Sequence, residues 1–118
     1  MTDLKAAMLE AVAHLPACVR LAFEKEEIAL PVIVIGDEEC RVFARADGRD
    51  YLDEYIAAVD VYAADPKELD ALCREADAAL SALGMKRMAC QDLYDEQAYA
   101  CRKHMRYRAL LQGERIYQ

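Results

Sequence analysis

Three groups of residues in this 118-residue chain have the types and spacing to do chemistry. Arg102, His104, Arg106 and Arg108 stand at every second position, so a strand would put them on one face. With Arg87 and Lys103 nearby, such a stripe can take a phosphate or pair with carboxylates. Asp37, Glu38 and Glu39 are consecutive, and carboxylate oxygens are the donors a divalent cation takes; a solvated acidic loop is the commoner role of such a run. The cysteines, Cys18, Cys40, Cys73, Cys90 and Cys101, include no C-x-x-C pair, and only Cys90 and Cys101 fall within about a dozen residues of each other. That spacing argues against a zinc site. It fits free thiols packed as small hydrophobes in a reducing, cytosolic compartment.

No catalytic set emerges around these groups. His14 falls at a helix end and His104 on a late strand, and neither stands beside a nucleophile elbow, an H-E-x-x-H pair or a Gly-rich phosphate loop. Gly36, Gly48, Gly84 and Gly113 all sit where a turn or cap is expected. The expectation is a protein that is not an enzyme, with no catalytic, cofactor-binding or metal-ligating residues and no cofactor. The formal charge of -7 argues against a free-standing, sequence-specific nucleic-acid binder, which needs a basic footprint. In so acidic a chain the basic stripe suits pairing with protein carboxylates such as Glu54 and Asp60, on a neighbouring strand or subunit. Its other role would be the solvent face of an edge strand, where charge deters stray pairing. Seven tyrosines against two phenylalanines and no tryptophan fit surfaces with one apolar and one wet side, although strands favour aromatics in any case.

The elements that must position these groups follow from periodicity. With 56% apolar and 31% charged residues, the composition is that of one globular domain spanning 1–118. A first helix from Thr2 to Leu15 carries Leu4, Met8, Val12 and Leu15 on one stripe; its charges make it amphipathic rather than a leader or membrane span. Strands follow at Ala17–Phe23, Val32–Ile35, Cys40–Ala46 and Arg49–Ala63, with Gly36 and the acidic loop breaking the second from the third. Asp47-Gly48 makes the tight hairpin turn, since both residues tolerate φ > 0. A second helix, Pro66–Leu83, has Asp65 as N-cap, Pro66 at N1, an apolar stripe from Leu69 to Leu83, and Gly84 as its left-handed stop. A last hairpin pairs Lys86–Tyr94 with Ala98–Leu111, and 112–118 is a tail that is flexible or docks on a neighbour. The order is α-β-β-β-β-α-β-β. This is an α+β fold: an antiparallel sheet of five to six strands with two helices on one face.

Several residues then carry a resemblance. Leu30-Pro31 before an apolar strand, Ala46-Asp47-Gly48 with Tyr51, Val61-Tyr62 ending a strand, and Asp65 opening one amphipathic helix resemble the tail-terminator and tail-completion proteins of long-tailed phages and prophages. Gly84, Glu96, Tyr99 and Tyr107 take the later positions of that pattern, so the resemblance spans Leu30 to Leu111. The chain departs from the pattern in its cysteines and in the AVDVYAADP segment. The resemblance implies a structural head–tail joining adaptor without turnover. It would form a homo-oligomeric ring on the tail tube protein and meet the head connector protein. It would reside in the bacterial cytoplasm during assembly and in the virion afterwards, with no membrane partner. An acidic surface would suit a channel through which DNA passes. Arg102, Arg106 and Arg108 on one copy, against Asp37, Glu38 and Glu39 on the next, are the candidate ring contacts. The alternative is a small non-catalytic ligand-binding or regulatory module with a pocket between sheet and helices. A small enzyme using the acidic loop is a third possibility.

Overall fold

The computed structural model describes residues 4–20, 30–46, 50–95, 100–112 and 115–117. Along these, α1 (Leu4–Val12) leads to β1 (Cys18–Arg20), β2 (Val32–Ala46) and β3 (Asp50–Ala63); α2 (Pro66–Leu83) leads to β4 (Lys86–Asp95), β5 (Ala100–Gln112) and β6 (Arg115–Tyr117). The four long strands form an antiparallel sheet in the order β2-β3-β5-β4. The three-residue strands β1 and β6 complete it, β1 parallel to β2 and β6 antiparallel to β5. The long hairpin sets the shape. Fifteen residues at ~3.3 Å each span ~50 Å, matching the longest dimension of 51 Å.

α2 keeps the bounds that local chemistry dictates. The Asp65 carboxylate accepts a hydrogen bond from the Lys67 N–H at 2.9 Å, Pro66 occupies the first turn, and Gly84 closes the helix at φ 108°. At that φ a side chain would be strained. Leu69, Leu72, Cys73, Ala76 and Leu80 are buried from α2, and Leu4, Met8 and Val12 from α1. They form one core with Ile33, Ile35, Tyr55, Ala57, Val59, Val61, Met105, Tyr107, Ala109 and Leu111. Each large aliphatic side chain so covered contributes about 1.5–3 kcal/mol. Both helices thus share the face of the sheet that these strand residues present. The helix on β5 is further held by Tyr107, whose hydroxyl donates to Asp77 at 2.6 Å, and by Lys103, whose Nζ lies 2.9 Å from the Asp70 carboxylate.

The observed fold, with element order α-β-β-β-α-β-β-β, differs from the expected one in three places. Val32–Ile35 and Cys40–Ala46 belong to a single strand. Gly36 and the acidic run do not break it, because β3 offers a continuous ladder and the register shift between Asp37 and Glu39 absorbs the extra residue. β1 pairs parallel to β2, so the sheet is not wholly antiparallel. The tail is not simply loose: Arg115–Tyr117 pairs with β5, and Ile116 packs against the core. α1 is also shorter than its apolar stripe, ending at Val12, although Leu15 remains buried beyond it. Asp47 and Gly48 lie outside the described residues, as do Glu96 and Tyr99; the hairpin they were expected to turn is present, with Ala46 registered opposite Asp50.

Candidate interface on the sheet face opposite the helices

The antiparallel register of β3 and β5 decides which side chains meet. Tyr62 lies opposite Arg102, Asp60 opposite His104, Ala58 opposite Arg106, and Ile56 opposite Arg108. This row occupies the face turned away from the helices, since the residues between them, such as Val59, Met105 and Tyr107, enter the helix-side core. The alternation of basic residues along β5 therefore does place the stripe on one face.

Carboxylates of β3 answer much of it. Arg102 donates through Nε to Asp60 Oδ1 at 2.9 Å, and a second guanidinium nitrogen lies 2.9 Å from the same oxygen. His104 Nδ1 lies 2.8 Å from that oxygen as well. The Arg102 guanidinium also sits 5.5 Å from the centre of the Tyr62 ring, within cation–π range. Arg108 Nε donates to Glu54, whose position is diagonal to it across the strands. Glu54 is only 5% exposed and is a buried carboxylate held by a guanidinium. Removing one member of such a pair is far costlier than the pair's net contribution to stability.

The stripe is not the face of an edge strand. β5 is flanked by β3 on one side and by β4 and β6 on the other, because the chain after α2 folds back to pair along it. Lys103 does not belong to the stripe: it sits on the helix face, between Asp70 and, at 3.5 Å, Asp92. Its odd position, shared with Met105 and Tyr107, is the signal that separates it from the even-numbered arginines. Arg87 is on the helix face too, 4.0 Å from Asp77. Asp37, Glu38 and Glu39 are in β2 rather than in a loop. Glu39 registers with Ile56, which registers with Arg108. The acidic segment therefore lies in the same sheet as the basic strand, about 10 Å away at two strand spacings.

Electrostatic perturbations cluster on the helix side instead. The Lys103 ammonium, by hydrogen bond and charge, lowers the Asp70 carboxyl, and Asp70 raises Lys103 in turn. Burial pushes the Cys73 thiol up to about 12. Burial and the Asp77 hydrogen bond raise the Tyr107 phenol above its ordinary value. The Lys103–Asp70 pair favours the closed helix–sheet packing, and burial keeps Cys73 in its neutral thiol form. Cys73, Cys90 and Cys101 are free thiols, Cys73 buried and Cys90 exposed, so the core-packing expectation fits the first and not the second. Among the described residues no three His, Cys, Asp or Glu side chains converge to hold a metal. His14 is exposed beyond the end of α1, which packs on the face opposite His104. A cleft of about 790 Å³ opens where α2 ends, lined by Asp77, Ser81, Gly84, Lys86, Arg87 and Arg108 among others. No described helix is long and apolar enough to cross a membrane.

No protein-family model matches the sequence, and no curated protein matches it. Solved structures do share the fold. A chain of a structure described as "Virion of native gene transfer agent (GTA) particle" superposes with a TM-score of 0.53, covering 92% of this chain and 86% of that one. The two are 19% identical, so the likeness is one of fold.

Proposed function

We propose that this chain is a structural subunit of a phage-like virion, acting as a ring-forming tail terminator or head–tail adaptor where the tail tube meets the connector. The observation that carries the reading is the fold shared over 92% of the chain with a chain of the gene transfer agent virion. The residues from Leu30 to Leu111 that resemble tail-terminator proteins point the same way. In this reading the protein turns nothing over and needs no cofactor. Its partners are further copies of itself, the tail tube protein and the head connector protein; it assembles in the bacterial cytoplasm and ends in the virion. A net charge of -7 keeps passing DNA from sticking.

Ring contacts join two different patches on identical subunits. The basic strand face supplies one, and the acidic segment of β2 is the candidate for the other. Arg102 and Arg108 also hold Asp60 and Glu54 within the chain, so replacing either perturbs the fold. Arg106 stands between them in the same row, registered with Ala58, and charge reversal there probes the basic face. The protein, mixed with a tail tube protein and a head connector protein, is expected to form rings visible by electron microscopy. Arg106→Glu and added salt should both weaken that association, because the Debye length falls to about 3 Å at 1 M. Failure to bind tube, connector or itself under any condition overturns the adaptor reading. Assembly untouched by Arg106→Glu at low salt removes the stripe from the contact.

The cleft beside the end of α2 favours one other reading, a ligand-binding or regulatory module. That reading expects a monomer whose melting temperature rises with a small anionic ligand drawn to Lys86 and Arg87.

A further inference from the structure

Among the described residues β4 is the outermost long strand on its side of the sheet, so its outer row of backbone N–H and C=O groups faces away from the described strands from Lys86 to Asp95. Every residue from Lys86 to Tyr94 is exposed. The large exposed hydrophobic side chains of the described residues are Met88 at 48%, Leu93 at 38% and Tyr94 at 58%, and all three belong to this strand. A ten-residue edge carrying such side chains is a template for another strand. Its charges say which one. Lys86 and Arg87 stand at one end and Asp92 near the other, so a parallel copy would set like charges together and an antiparallel copy would set opposite charges together.

The faces agree with that arrangement. Residues directly opposed in an antiparallel pair must lie on the same face of the sheet. Arg87, Cys90 and Asp92 register with Tyr107, Met105 and Lys103, all on the helix face. The register shift at Arg87/Ala89 is why Arg87 and Cys90, three positions apart, share it. With a twofold axis through Cys90, the counting on either side therefore brings Arg87 of one copy opposite Asp92 of the other, twice by symmetry. Both side chains are accessible for this, at 46% and 77% exposure, although Arg87 lies 4.0 Å from Asp77 and Asp92 lies 3.5 Å from Lys103 within the chain.

We propose that the outer edge of β4 is a self-complementary site that pairs antiparallel with β4 of a second copy of this chain, Arg87 against Asp92. The pair joins identical patches, whereas ring contacts join different ones. It is therefore independent of the adaptor reading.

The test is sedimentation velocity at low salt over a concentration series, with circular dichroism melting to check that each variant is folded. The wild type should dimerise with concentration, less so as salt rises. Arg87→Asp and Asp92→Arg each turn two attractions into two repulsions and should weaken dimerisation roughly tenfold or more. An equimolar mixture of the two variants should dimerise again, because acids at positions 87 and 92 of the first then face bases at positions 92 and 87 of the second. Arg106→Glu, which bears on the ring contact, should leave the pair intact. A wild type that stays monomeric, or folded variants whose mixture stays no more associated than either alone, overturns the proposal.

Discussion

Tyr107 is the side chain whose loss should say most about how α2 is held on the sheet. It is fully buried, and its hydroxyl donates to Asp77 at 2.6 Å, with the Met105 sulfur as a weak second contact at 3.7 Å. A hydrogen bond to a charged acceptor contributes about 1.5–3 kcal/mol. The Asp77 side chain is 32% exposed, so water competes and the lower end applies. Tyr107→Phe should therefore cost about 1–1.5 kcal/mol, or roughly 4–6 °C in melting temperature for a domain of this size. Asp77→Ala strands a buried hydroxyl at about 1–3 kcal/mol but regains up to about 0.7 kcal/mol of helix propensity. The double variant should cost little more than either single one, leaving a coupling of about 1 kcal/mol in urea denaturation. Tyr107 also gives a pH signature. Its phenol is raised in the folded state above the ordinary 10.0, so the unfolded chain releases that proton first. The stability it contributes is complete below pH 10 and lost as pH rises beyond it; Tyr107→Phe should flatten this alkaline arm. A coupling near zero, or an alkaline arm unchanged in Tyr107→Phe, would refute the idea that this bond clamps the helix.

Three further outcomes are expected. Asp65→Ala removes the cap of α2 and should cost about 1 kcal/mol, and Gly84→Val forces a β-branched residue to φ 108° and should cost about 1–3 kcal/mol, both read by thermal melting. Lys103→Met should let the Asp70 carboxyl titrate closer to 3.8, followed by NMR; the stabilising contact is present above that pH and fades as pH falls through the lowered folded value.

α2 was legible because everything that delimits it is local. Asp65, Pro66 and Gly84 act within a turn of the residues they cap, and the stripe from Leu69 to Leu80 repeats at the helical period. The basic stripe was legible as a face for the same reason, since alternation is a property of one strand. Lys103 was open to the same reasoning: its parity with Met105 and Tyr107 sets it on the helix side. The passage from Gly36 to Glu39 was not, because glycine and consecutive acids are local breaking signals, whereas the ladder that carries β2 through them is supplied by β3, some twenty residues on.

By itself, then, the order of residues determined which segments alternate, where α2 starts and stops, that the chain would build an α+β fold, and that its net charge is -7. Only the tertiary structure decided that β5 is interior and β4 outermost, that Asp60 is shared by Arg102 and His104 across more than forty residues, and that Arg87 shares a face with Asp92. Register and bulges are set by the whole sheet packing its apolar face against two helices. A slip of one residue would turn every side chain of a strand to the other face, and no local window records that constraint.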